Sequence, residues 1–317
     1  MKLRKSALFI LRICIGLGII LFLFKFIPYS RIIQLYKEAN KIYIIISLVI
    51  FVMVNILGAL RWRYILSSIG IDIHKKEAIY TYLSSLFFNI LFPSLLGGDI
   101  FRSLALSYRH KKSFKVISSV VMDRFSGGFS LGIVTLVAYL LGGVKIRQYN
   151  ILLTVSFFLF INIIAVLIVF NRYFFHRINK YVKGGTIKRR LVHFYNELYF
   201  FRNNPKIFFK SLLYSFAIQG SICFIFFTLS KAFFLKTDIF YFFILVPIIQ
   251  FIATLPITIA GMGTREVASV YFFSKIGIDK SAALSLSFAF LFINIITSLL
   301  GGLIYVMVYH RWLERNT

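Results

Sequence analysis

Long apolar runs, separated by short basic segments, dominate the chain. Residues 7–26, 42–60, 151–170 and 211–229 each supply about the 20 residues a helix needs to cross a ~30 Å hydrocarbon layer. Two longer runs, about 113–141 and 281–309, predict longer helices. A polar linker carrying Arg31, Lys37 and Lys41 is expected between the first two spans. The segment 171–210 reads as the sizeable extramembrane loop, and it holds ten Lys and Arg.

Two stretches interrupt this pattern. Pro93-Ser94-Leu95-Leu96-Gly97-Gly98-Asp99-Ile100-Phe101-Arg102 sets a helix breaker, a glycine pair, an acid and an arginine inside apolar sequence. Pro256-Ile257-Thr258-Ile259-Ala260-Gly261-Met262-Gly263-Thr264-Arg265-Glu266 repeats the plan, with nine residues from proline to arginine in both. The helices flanking the first break, of about 15 and 11 residues, reach roughly 22 Å and 16 Å and fall short of the hydrocarbon thickness. They therefore read as re-entrant hairpins, whose non-helical backbone must be satisfied by protein or water. Each hairpin is followed by a long helix, so two units, about 77–143 and 239–309, repeat within a single domain, 1–317.

Composition settles the class. Hydrophobic residues make up 59% of the chain, charged residues 15%, and the mean hydropathy is +0.85. That is an all-α polytopic membrane protein, because continuous apolar runs replace the ten-residue alternation of a barrel. The net charge of +27 then orients it. With the N-terminus cytoplasmic and both units as hairpins, 23 Lys and Arg lie inside and 10 outside; single crossings would put 13 inside and 20 outside. The positive-inside rule selects hairpins. The expected topology is about six full spans plus two re-entrant hairpins in an inverted repeat, with both termini cytoplasmic. The first run is long enough to be a retained span. The basic loops would also attract anionic head groups, and nucleic acid is excluded because the charge forms no compact basic domain.

Candidate chemistry gathers at the breaks. Asp99, Asp123 and Glu266 are charge partners of Arg102, Arg124 and Arg265, or carriers of a coupling proton. Charges at this depth cost about 2.5–3.5 kcal/mol on insertion scales and default to function, though mutual neutralisation is the plainer alternative. Gly97, Gly98, Gly261 and Gly263, with Thr264, are expected to let helix N-termini approach an anion, Arg102, Arg124 and Arg265 adding fork-shaped donors. Close helix packing is the alternative use of those glycines. Arg61-Trp62-Arg63 reads as an interfacial anchor, and Asn55, Asn89, Asn162, Gln219, Gln250 and Asn294 as interhelical hydrogen-bond formers. Cys14 and Cys223 lie in apolar runs, and the five histidines have no ligand spacing. No metal, no cofactor and no catalytic residues are expected.

Arg61-Trp62, Pro93…Gly97-Gly98-Asp99…Arg102, Asp123-Arg124…Gly127, Pro256…Gly261-Met262-Gly263…Arg265-Glu266 and Gly301-Gly302 together resemble the lysylphosphatidylglycerol synthase transmembrane region, or flippase-like, family over about residues 7–308. The resemblance implies a lipid-handling domain, which in the multiple peptide resistance factor flips aminoacylated phosphatidylglycerol. Relatives are linked to lipid-linked sugars or hopanoids. The chain as given ends at Thr317, so the C-terminal lysyl-transfer domain is expected to be lacking and no lysyltransferase activity is expected. The combined expectation is an inner-membrane lipid translocase binding an anionic or phosphate-bearing lipid at a midplane site. Its rivals are a transporter of a small soluble anion and a non-transporting subunit that recruits a synthase or glycosyltransferase.

Overall fold

The computed structural model describes residues 15–16, 18–91, 96–142, 156–161, 163–164, 201, 203–255, 258 and 261–310. Pro93 and Pro256, the expected span 151–170 beyond a few helical residues, and most of the 171–210 loop lie outside the described residues. The described chain is helical, without a strand among the described residues.

Ten helices are labelled in chain order: α1 (Gly18–Phe26), α2 (Tyr29–Glu38), α3 (Lys41–Ser68), α4 (Lys75–Leu91), α5 (Gly97–His110), α6 (Ser113–Leu141), α7 (Pro205–Ala232), α8 (Ile239–Thr254), α9 (Thr264–Lys275) and α10 (Lys280–Ile304). The last runs into a π-helical turn, Tyr305–His310. Of these, α3, α6, α7 and α10 are each long and apolar enough to cross a membrane. The protein is thus a multi-pass helical membrane protein.

Starts and stops follow local chemistry. Asn40, Asp238 and Asp279 cap α3, α8 and α10 by accepting from the N–H of Ile42, Phe240 and Ser281. Two of the chain's acids are thereby accounted for as caps. The expected polar linker is instead a helix: α2 turns away from α1 by 87° at Ile27-Pro28, where proline cannot continue a helix. It buries Ile32, and the Tyr36 hydroxyl donates to the Ser285 carbonyl of α10 at 3.0 Å. The second run also extends further than expected, α3 continuing through Arg61-Trp62-Arg63 to Ser68.

Small residues bring the helices close. Ser47 and Thr228 share a 2.7 Å hydrogen bond where α3 and α7 pack together. Reciprocal packing links the two breaks: α6 runs along α8, while α10 runs along α4. A side chain at Gly301 would meet the Leu83 carbonyl of α4, and one at Gly302 would meet the Phe87 ring. Among the described residues two apolar cores result. The larger contains Phe226, Phe242, Phe273 and Phe290; the smaller contains Trp62, Leu66, Leu106 and Met122.

Candidate functional site

Between these cores lies a cavity of about 430 Å³. Its charged wall comes from three helices: Arg61 on α3, Asp99 and Arg102 on α5, Asp123 and Arg124 on α6. The five groups form one alternating chain. Arg61 Nε meets Asp123 Oδ1 at 2.7 Å, and Asp123 Oδ2 meets Arg102 Nη1 at 2.9 Å. Arg102 Nη2 then meets Asp99 Oδ1 at 2.9 Å, and Asp99 Oδ2 meets Arg124 Nε at 2.6 Å. Lone charges would be prohibitive in such a setting, whereas alternating pairs with short hydrogen bonds are tolerable.

Exposure divides the chain into an anchored part and an accessible end. Arg102 is 3% exposed and stacks between Trp62 and Tyr82, its guanidinium carbon 5.0 and 5.3 Å from their ring centres. Arg61 is likewise buried and donates a further hydrogen bond to Ser215 of α7 at 2.8 Å. The Arg124 side chain is 43% exposed. Among the described residues that line the cavity, three guanidinium groups face two carboxylates, one positive charge in excess.

Arg61 and Trp62 are not an interfacial anchor. Trp62 is fully buried, donates its indole N–H to Ser119 at 3.2 Å and supports Arg102, because α3 carries it past the expected span end into the helix bundle. Arg63 is only partly buried and caps a loop, donating to the Ile73 carbonyl at 2.7 Å.

The glycine-rich breaks are not open anion nests either. The Gly98 N–H is taken by Asn89 Oδ1 at 2.8 Å, and a side chain at Gly98 would run into the Ser85 carbonyl and Asn89 of α4. Gly97 opens α5 as a buried residue beside it. At the second break the Gly263 N–H is taken by Glu266 Oε2 at 2.5 Å, and Glu266 Oε1 accepts from Ser287 of α10 at 3.0 Å. Gly261 and Gly263 have positive φ, 73° and 91°, and lie against the Ala253 carbonyl and Gly16. Thr264 hydrogen-bonds Thr258 at 3.2 Å and the Gly261 carbonyl at 3.1 Å. Gly98, Gly261 and Gly263 thus lie in close backbone contact, and the chain's own side chains take the N–H groups of Gly98 and Gly263.

The two arginine-bearing breaks also part company. Arg102 lines the cavity, whereas Arg265 is 6% exposed and stacks on Phe290 at 5.4 Å, and neither it nor Glu266 is among the cavity-lining residues. The helix before the second break, α8, reaches the cavity instead, with Gln250, Phe251 and Thr254. Sequence reasoning also missed Tyr82 and Ser215. Tyr82 faces Gly58 of α3, a small-residue-against-aromatic pairing that leaves no mark in either stretch alone. Asn89, Gln219 and Gln250 were expected as interhelical hydrogen-bond formers, and all three line the cavity.

Fold and site define a multi-pass helical membrane protein with an arginine-rich cavity inside its helix bundle. The chain belongs to the lysylphosphatidylglycerol synthase TM region family, whose profile matches residues 9–302. It is also similar to the UPF0104 membrane protein MJ1595 of Methanocaldococcus jannaschii, at 23% identity across 99% of this chain and 98% of that one. The family match is to a membrane region, with no catalytic domain evident in it. Among the described residues no cluster of His, Cys, Asp and Glu is arranged to hold a metal.

Proposed function

We propose that the protein is a lipid translocase whose cavity takes the phosphate-bearing head group of an anionic lipid. The observation carrying this reading is the surplus of one positive charge among the described lining residues of an arginine-lined cavity in a membrane protein. A phosphodiester bears one negative charge and matches that surplus. Arg124 is the group that meets it, since its guanidinium fork ends the ion-pair chain with its side chain 43% exposed and suits phosphate oxygens. Phosphate and Asp99 compete for the same guanidinium, so binding exchanges one charge-assisted contact for another. Arg102 and Arg61 are the fixed frame, and Asp99 and Asp123 orient them. Membership in a lipid-synthase membrane-region family agrees with a lipid ligand.

Translocation is supported by the reciprocal packing of α6 on α8 and α10 on α4, the relation expected of an inverted repeat, and by the basic bias of loops facing one side. On this reading the chain is one flippase-like domain of about six spans in the inner membrane, both termini are cytoplasmic, and membrane lipids are its partners. The deciding experiment reconstitutes the protein in vesicles containing fluorescent phosphatidylglycerol and follows quenching from outside. Wild-type protein should expose inner-leaflet lipid to quencher, and Arg124→Gln should reduce the rate at least tenfold. Equal rates in the two proteins, or a wild-type rate no faster than protein-free vesicles, would overturn the proposal. Uptake of labelled inorganic phosphate without lipid movement would overturn the proposal in favour of a small-anion transporter.

A further inference from the structure

The second break lies under the start of the chain. Gly16, in the helical residues that lead into α1, sets its backbone against the break. A side chain at Gly16 would come within 3.1 Å of the Met262 carbonyl, and one at Gly263 within 3.0 Å of the Gly16 carbonyl. Thr258 sits at the same point, its Cβ 3.9 Å from where a Gly16 Cβ would stand. Thr258 and, further along the break, Arg265 and Glu266 are all buried.

The helix that makes this cover is held unevenly. Of the nine residues of α1, Leu23 alone is buried and six are exposed. Its sideways contacts are apolar: Leu23 joins the larger core, and the Phe24 ring lies 6.2 Å from that of Phe288. Lipid tails are as apolar as such partners, so a bilayer can replace these contacts at little cost. The other end is fixed. Ile27 is buried, α2 turns away by 87° and buries Ile32, and Tyr36 and Arg31 tie α2 to Ser285 at 3.0 Å and Asp279 at 3.7 Å. Pro28 has no N–H, so the helical ladder is interrupted at the bend. We propose that α1 is a lid over the second break: it swings about Ile27-Pro28 with α2 as its base, and its opening gives Thr258 and the buried break a route of access from the lipid.

Two glycines on the same segment supply the test. Thr258→Cys in a Cys14→Ser chain carries two thiols, the reporter and native Cys223, which is buried in the larger core and reads general loosening. The full chain in vesicles is treated with N-ethylmaleimide, and peptide masses give the labelling rate of each thiol. With α1 unaltered, the reporter should react about tenfold faster than Cys223, because local opening uncovers the one and not the other. Gly16→Val, which wedges α1 off the Met262 carbonyl, should speed the reporter by a further factor of about ten and leave Cys223 unchanged. Gly18→Val makes the same change where nothing lies within 4 Å, and should alter neither rate. Equal rates for the two thiols with α1 unaltered would make α1 a static cover and overturn the proposal. So would a reporter indifferent to Gly16→Val, or one that Gly18→Val speeds as much. If Gly16→Val speeds both thiols, Gly16→Ala is the smaller wedge, and its failure to separate them also overturns the lid. Labelling requires no lipid movement, so this result and that of the translocase assay stand apart.

Discussion

A guanidinium held between Trp62 and Tyr82, away from water, keeps its place because Asp99 and Asp123 neutralise it from two sides. Asp123 is the hub, since it also holds Arg61 at 2.7 Å. Asp123→Asn keeps the shape but takes from buried Arg61 its carboxylate and leaves buried Arg102 with Asp99 only, and breaking a buried pair in this way costs about 3–5 kcal/mol. We expect a marked loss of thermal stability in detergent, read as a lowered unfolding midpoint. Arg124→Gln should behave oppositely. Its side chain sits at the exposed end of the chain, so its stability loss should stay below about 1 kcal/mol while lipid movement falls. If Arg124→Gln unfolds the protein as readily as Asp123→Asn, the division into frame and ligand contact is wrong.

Elements depend on how closely their backbones approach. At Gly98 an added methyl group would enter the space of the Ser85 carbonyl, backbone that cannot swing away. At Gly301 the obstacle is the Leu83 carbonyl, so both glycines keep neighbours pressed onto α4. Gly98→Ala and Gly301→Ala should each destabilise by about 1–3 kcal/mol, the usual penalty of overpacking. Gly128→Ala is the control, because nothing lies near its added methyl. Glu266 belongs to the same scale. Its carboxylate closes the start of α9 by accepting from Gly263 and ties it to Ser287 of α10. Glu266→Gln keeps most of the geometry and should preserve lipid movement across the pH range, whereas a coupling proton carrier would lose pH dependence on that change.

At the scale of the whole molecule, the charge asymmetry and the reciprocal packing of the units make a claim about sidedness. A fluorescent protein fused after Thr317 should fold and glow in the cytoplasm, and alkaline phosphatase fused there should be inactive. The reverse result would invert the topology and put the basic loops outside, against the positive-inside rule. The membrane class, the long helices α6 and α10 and the positions of both breaks were readable along the chain, because an apolar run of given length has few alternatives to a spanning helix. The α1–α2 bend was less readable: a ten-residue stretch with mixed polarity reads equally as linker or surface helix until α10 is there to cover Ile32 and Tyr36.

Sequence alone thus determined a multi-pass helical protein with paired glycine-rich breaks and acids beside arginines, since periodicity, composition and charge are properties of the chain taken in order. Tertiary structure decided which charges meet. Arg61, 62 residues from Asp123 in the chain, lies 2.7 Å from it in space, and Gln250 reaches the cavity from α8. It decided as well how close Gly98 and Gly301 come to the α4 backbone, and that Arg265 lies on Phe290, outside the cavity wall. The physical reason is the same in each case. Ion pairing, burial and close backbone contact depend on distances between elements, and these are set only when all the helices pack at once.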